Sequence, residues 1–260
     1  PEPWFLWVAY NAPHAPLHAP PSDLIHRELD DDASDIELYN AMVEALDTEV
    51  GRLLNSLDPE LAAHTTVVFL GDNGTPESAI APPFNPEHGK ATLFEGGVRV
   101  PMLITGPQVH TPGSHSDALV HVVDLLPTVA EIAHVPRTAL PDHLDGLSLL
   151  PWLADPAAPT GRDILFAENF RPLGAPPWRF HELAVRDEHF RLVVTESPED
   201  QQSERLYALD GELGEGPLLE GPPLEGHLKG DEKRARRRLR RALRRLRRDT
   251  RWEVSPRSVA

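Results

Sequence analysis

Between residues 35 and 57 the apolar positions Ile36, Leu38, Met42, Val43, Leu46, Val50, Leu53, Leu54 and Leu57 recur at steps of three and four. That spacing predicts an amphipathic helix over 35–57, with Ser34 as its N-cap. Two other segments are apolar on consecutive positions instead. Phe5 to Tyr10 and Thr65 to Leu70 are rich in aromatic or β-branched residues, which predicts strands buried on both faces. Each run stops abruptly in a polar loop. The first gives way after Asn11 to a stretch holding Pro13, Pro16, Pro20 and Pro21, which must be extended and irregular and carries His14 and His18. The second ends at Gly71-Asp72-Asn73-Gly74.

Further along, Met102 to Thr105 predicts another strand, and Asp124 is placed to cap a helix through Leu125, Leu126, Val129, Ile132 and Ala133, with Pro127 tolerated in its first turn. Glu182 to Asp187 and Phe190 to Thr195 read as strands joined by a turn at Glu188-His189, so a small antiparallel sheet follows. The stretch from Gly211 to Gly226 is rich in Gly, Pro, Glu and Leu and reads as a linker without regular structure. After it, Leu239, Leu243 and Leu246 form a narrow apolar stripe on an arginine-rich helix. The resulting expectation is an α/β chain in four parts: 1–155, a mixed sheet flanked by helices; 156–210, a small antiparallel-sheet α+β subdomain; 211–228, the linker; and 229–260, a basic helical tail.

Charge sharpens this division. From Lys229 to Arg251 there are 13 Lys and Arg against 3 Asp and Glu, although the whole chain of 260 residues carries a net charge of −16. An acidic body therefore meets a basic tail. The acidic body argues against nucleic-acid binding by the main domain and is compatible with divalent cations. The tail is suited either to docking back on that body or to an anionic surface. No run is long and apolar enough to cross a bilayer as a helix, and the opening residues show no signal-peptide pattern. The first predicted strand reads instead as one taken from the middle of a longer protein. The 28 prolines favour loops and short elements, and with no cysteine there is no thiolate nucleophile or ligand in these residues.

The chemistry left to the chain concentrates where predicted strands end, which is where open α/β sheets gather ligands. Asp72 and Asn73 offer the oxygen donors that a hard cation such as calcium or magnesium takes, although Asp-Asn-Gly is also a common tight turn. His14 and His18 have the i, i+4 spacing of a helical zinc pair, but Pro16 between them excludes the helix. A single loop histidine such as His14 is suited to hydrogen-bonding or protonating an anionic group. Lys90, one of three lysines, follows Gly89 and could project its ammonium at an anionic oxygen. Glu95 and Arg99 read as a structural ion pair around the Gly96-Gly97 bend.

Taken in order, these segments resemble the type I sulfatases of the alkaline-phosphatase-like superfamily. The resemblance rests on FLWVAYNAPHAP (5–16), LDTEVG (46–51), TVVFLGDNGTP (66–76), GKATLFEGGVRVP (89–101), VDLLPTVAEIA (123–133), LDGLSLLP (144–151) and RLYALD (205–210). It implies a calcium-dependent sulfuric ester hydrolase acting on a sulfate ester, with calcium favoured over magnesium. It also implies that Asp72 and Asn73 are metal ligands and that His14 and Lys90 contact the sulfate and serve catalysis. The family's nucleophile is a formylglycine made from the Cys or Ser of a C/S-x-P-x-R motif, and no such motif occurs in the chain. The formylglycine and further metal ligands are expected upstream, so the isolated segment is expected to be inactive. The alternatives are a phosphodiester or phosphonate hydrolase on the same scaffold and a non-catalytic interaction fragment. The family resemblance is compatible with export, but the sequence itself specifies no compartment.

Overall fold

The computed structural model describes residues 3–159, 161–174, 178–196, 203–210, 219–220, 223–224, 226 and 228–249. The chain divides into two compact units, Pro1–Pro159 and Thr160–Ala260. The break thus falls a few residues after the boundary expected from sequence.

In the first unit the helix predicted from apolar spacing is present as α1, Asp35–Asn55. Ser34 and Glu37 form a reciprocal capping box, with the Ser34 backbone N–H donating to Glu37 Oε2 at 2.8 Å and the Glu37 N–H to Ser34 Oγ at 3.4 Å. Two of the helix's orphan donors are satisfied in this way. The helix buries Ala41, Met42 and Ala45, and Glu44 on its flank takes the Arg27 guanidinium at 2.6 Å. Hydrogen bonds from Arg27 and from the His26 backbone hold the Glu44 carboxyl below the usual carboxylate range. A short helix α2 (Pro59–Ala63) leads into strand β1 (Val67–Leu70). Helix α3 (Glu95–Val98) precedes β2 (Met102–Thr105), which pairs antiparallel with β1 in the register Val67 to Thr105 and Leu70 to Met102.

Two expectations are corrected here. Phe5 to Tyr10 does not form a strand, and it is exposed: Phe5 by 69% and Trp7 by 73%. A run apolar on both faces is stable as a strand only when it is paired and covered, and among the described residues β1 pairs only with β2. Asp124 stands at the N-cap position of α4 (Leu125–Ile132), but its side chain makes no capping bond there. Its fully buried carboxylate instead accepts the His121 N–H at 2.7 Å and the Leu147 N–H at 2.8 Å. Together with Thr128 Oγ1, which accepts from the Leu149 N–H at 2.8 Å, it ties the 144–151 turn and helix α5 (Leu150–Ala154) to α4.

The second unit is an antiparallel meander of β3 (Leu165–Arg171), β4 (Phe180–Arg186), β5 (Phe190–Glu196), β6 (Ser203–Asp210) and β7 (Leu219–Glu220). The β4–β5 turn is fixed by Asp187, whose Oδ1 accepts the N–H groups of His189 (3.0 Å) and Phe190 (2.9 Å). One sheet face carries Leu183 opposite Val194 and Val185 opposite Leu192, with Leu206 across from Leu192. Helix α6 (Gly230–Asp249) packs Leu239 and Leu243 into that face to make the main apolar cluster. At full burial each leucine contributes about 1.5–3 kcal/mol. The described part of the expected basic tail, 229–249, thus contributes Leu239 and Leu243 to this unit's core, and residues 250–260 lie outside the described residues. Much of the expected linker, residues 211–218, lies outside the described residues, but Leu219–Glu220 pairs with β6 and the Leu224 N–H donates to the Leu206 carbonyl at 2.7 Å. Among the described residues no helix is long and apolar enough to cross a membrane.

Candidate active site

The loop leaving β1 is built from backbone packed on backbone. The Gly71 N–H donates to the Pro101 carbonyl at 3.0 Å, which continues the β1–β2 ladder by one rung beyond the strands. The Gly74 N–H then donates to the Gly97 carbonyl at 3.0 Å, joining the loop to α3. Such contact leaves no room for side chains. A Cβ on Gly74 would lie 1.9 Å from the Gly96 carbonyl oxygen, and one on Gly97 would lie 2.4 Å from that of Thr92. A Cβ on Gly89 would meet Ile80 Cδ1 at 2.4 Å and the Thr75 carbonyl oxygen at 2.5 Å. None of these three has a positive φ. Space, not backbone handedness, dictates glycine at each.

This packing fixes where the candidate residues stand. The Lys90 N–H donates to the Thr75 carbonyl at 2.8 Å, so the lysine is tied by its backbone to a residue two positions after Asn73. Asp72 and Lys90 are exposed and Asn73 is half-buried. Ala91, directly after the lysine, sits at φ 68°, a left-handed conformation that L residues with a Cβ rarely adopt. Thr92 closes the turn by donating from Oγ1 to the Gly89 carbonyl at 2.7 Å. His88 stacks on Phe94 with ring centroids 3.7 Å apart and planes 3° from parallel. The sequence reading overlooked both the Ala91 conformation and this stack. The His88-x5-Phe94 spacing gives no hint of a contact until the turn at 89–92 is known. Glu95 is buried and Arg99 exposed, and the Arg99 N–H bonds the Glu95 carbonyl at 2.8 Å.

His14 stands elsewhere in the unit. Its backbone N–H donates to the Asn11 carbonyl at 2.8 Å, and its Nδ1 donates to the Ala15 carbonyl at 2.7 Å. That bond orients the ring and assigns Nε2 as the free acceptor of the neutral form. The 11–18 loop and Met42 of α1 line an open pocket of about 550 Å³ that includes His14 and His18. No helix spans 14–18, as the intervening proline requires. Asp72, Asn73 and Lys90 are not among the pocket's walls. The structure thus brings Asp72, Asn73 and Lys90 onto one bonded loop system and leaves His14 on a separate one.

Asp72 and Asn73 offer oxygen donors of the kind calcium takes, but a calcium ion needs six to eight ligands. Among the described residues no group of three or more His, Asp or Glu is gathered to hold a metal. The pair fits part of a hard-cation shell and not a whole one.

Residues 1–135, just over half the chain, match the family described as Sulfatase. The chain belongs to the sulfatase family. Residues 87–215 also match the family described as N-sulphoglucosamine sulphohydrolase, C-terminal. This sulfatase-family chain is 32% identical over 237 residues to a sulfatase of Formosa agariphila, an alignment covering 82% of the chain and 41% of the relative. Two solved structures share its fold. One, a complex of a protein with its substrate D-glucosamine-2-N,6-O-disulfate, aligns with TM-score 0.59 at 21% identity, covering 82% of the sulfatase-family chain and 41% of the other. The second, a phosphonate monoester hydrolase from Silicibacter pomeroyi, aligns with TM-score 0.55 at 23% identity, covering 85% and 42%. These likenesses bear out the expected α/β, alkaline-phosphatase-like fold. The chain spans from about a fifth to two fifths of the length of the curated relatives it matches.

Proposed function

We propose that this chain supplies one side of the active site of a calcium-dependent sulfuric ester hydrolase, with Asp72 and Asn73 as metal ligands and Lys90 and His14 as the groups that meet the sulfate ester. The observation that carries the reading is the glycine-packed junction between the Gly71–Thr75 loop and the Gly89–Val98 turn, in a chain of the sulfatase family. It ties the backbones of the segments carrying Asp72, Asn73 and Lys90 into one bonded loop system, and two oxygen donors with an ammonium are the groups that an anionic ester and its counter-cation call for. Lys90, whose backbone N–H is bonded to the Thr75 carbonyl, would neutralise charge on the sulfate oxygens. His14, its Nδ1–H held by the Ala15 carbonyl, would carry a proton on Nε2 to the departing alcohol. Asp72 and Asn73 would hold part of the shell of a hard cation, which would supply further positive charge for the ester oxygens when bound.

The 260 residues contain no cysteine and no Ser-x-Pro-x-Arg sequence, so the formylglycine nucleophile of the family reaction would come from outside them. Calorimetric titration of the 260-residue chain with calcium is therefore expected to show weak binding, and 4-nitrophenyl sulfate should remain intact. Tight calcium binding, or turnover by this chain alone, would overturn the assignment of a partial site. A second reading, a phosphonate or phosphodiester hydrolase, draws on the phosphonate monoester hydrolase that shares the fold, since the same donors can serve either anion. Comparing matched sulfate and phosphonate esters on the complete gene product separates the two.

A further inference from the structure

Helix α6 uses its arginines in two distinct ways. Around the helix, at 100° per residue, Ala235, Leu239, Leu243 and Leu246 mark the face that meets the sheet. The arginines flanking that face are spent on acids of the same unit. Arg236 and Arg240 both reach Glu204, each with a nitrogen–oxygen distance of 2.6 Å. Arg238 pairs with Asp187, and Arg247 grips Glu196 through two bonds of 2.6 and 3.1 Å.

Arg234 pairs with Asp231 on the helix itself, which leaves five of the ten arginines of α6 without an ion pair among the described residues. Arg237, Arg241, Arg244, Arg245 and Arg248 are all exposed and fall within an arc of roughly 100° opposite the apolar face. Successive members stand about 5–6 Å apart along the axis, counting Arg244 and Arg245 as one step. The result is a straight row of cations on a chain whose net charge is −16. Like-charge repulsion from the rest of the surface makes this row the place where a polyanion can approach.

Its composition selects among polyanions. Leu239 and Leu243 of α6 are buried on the sheet and Leu246 is partly buried against the same cluster, so little apolar surface is left to enter a lipid headgroup layer. The outer arc presents no aromatic side chain, so it lacks the stacking platforms that hold single-stranded nucleic acid. What it offers is guanidinium forks in a line, suited to oxyanion groups spaced along a flexible polymer.

We propose that the outer face of α6 is a docking site for a linear sulfated polysaccharide, holding a polymer through its sulfate groups. The inference rests on the hydrolase reading for its choice of sulfate, and it names a polymer as the substrate class. The test is fluorescence-detected binding of the full chain to a labelled heparin-derived decasaccharide across a salt series. The same measurement is made on a variant carrying Gln at positions 237, 241, 244, 245 and 248. The wild-type chain should bind with strong salt dependence. The variant should bind at least about tenfold more weakly, with the slope of log K against log salt reduced by about 3. Its helical circular dichroism and unfolding midpoint should match the wild type, because the substituted side chains lie outside the apolar cluster and the ion pairs to the sheet. If it does not fold, the R237Q/R241Q double variant must show a graded loss instead. Equal binding by wild type and variant, or no binding by either, would overturn the proposal. So would a single-stranded oligonucleotide or phosphatidylserine vesicles binding as tightly as the decasaccharide. The measurement needs no turnover: if binding is seen but the complete gene product hydrolyses no sulfate ester, only the hydrolase reading fails.

Discussion

Gly74→Ala is the substitution that bears most directly on how the candidate site is held. A Cβ at this position would lie 1.9 Å from the Gly96 carbonyl oxygen and 2.7 Å from Gly97 Cα. Both are backbone atoms, so no side chain can rotate away, and the loop must part from α3. Parting breaks the Gly74–Gly97 bond of 3.0 Å and loosens the Lys90–Thr75 bond of 2.8 Å, each worth about 1 kcal/mol net. Overpacking a close contact adds about 1–3 kcal/mol, so the loss should be about 3–5 kcal/mol, a large part of the 5–15 kcal/mol typical of a domain. Gly51→Ala is the matched control. Gly51 lies inside α1 with nothing within 4 Å of its would-be Cβ, so alanine there should stabilise by about 1 kcal/mol through helix propensity. Urea unfolding gives both values, and amide hydrogen exchange at Gly74 and Lys90 reports the loop itself. If Gly74→Ala unfolds at the wild-type midpoint with those amides still protected, the glycine-packed junction does not hold the site.

The second unit gives two further predictions. Leu239→Ala removes a fully buried side chain from the helix–sheet cluster and should cost about 2–5 kcal/mol in denaturant unfolding; a loss below 1 kcal/mol would mean that α6 is not docked as described. Burial alone would raise the Glu204 carboxyl, but hydrogen bonds from Arg240 and Arg236 outweigh it and leave the group below its ordinary range. Its ion pairs therefore contribute stability in full above the unfolded carboxylate range, about pH 4.3, and lose it as pH falls through the lower folded value. Thermal unfolding followed at low salt should thus be less acid-sensitive in Glu204→Gln than in the wild type, and identical acid profiles would contradict the pairing.

Periodicity made α1, its Ser34 cap and the β4–β5 hairpin legible in the sequence, because each depends on local spacing and turn chemistry. The Phe5–Tyr10 run misled because its pattern records what a segment can bury, whereas strand formation depends on a partner that local sequence does not specify. Asp124 misled for a related reason. Its position suits a cap, but its carboxylate goes to an amide 23 residues away. At the candidate site the residue types were readable one by one, and their ordered motifs suggested the family. The reason for so many glycines was not readable, because the clash that excludes a Cβ comes from carbonyls as far off as Gly96 is from Gly74. The outer arginine row on α6 was hidden in the same way: composition shows a basic helix, but only the sheet reveals which arginines are already paired.

Steady-state hydrolysis of 4-nitrophenyl sulfate by the complete gene product, wild type against Lys90→Ala, tests the central claim most directly. The account predicts turnover that is abolished by chelation of divalent cations and restored by calcium. With Lys90→Ala, kcat/KM should fall by about two orders of magnitude or more, as for the loss of one charge-stabilising group, with the fold unchanged by circular dichroism. Turnover unaffected by Lys90→Ala, or a preference for the matched phosphonate ester over the sulfate, would contradict it.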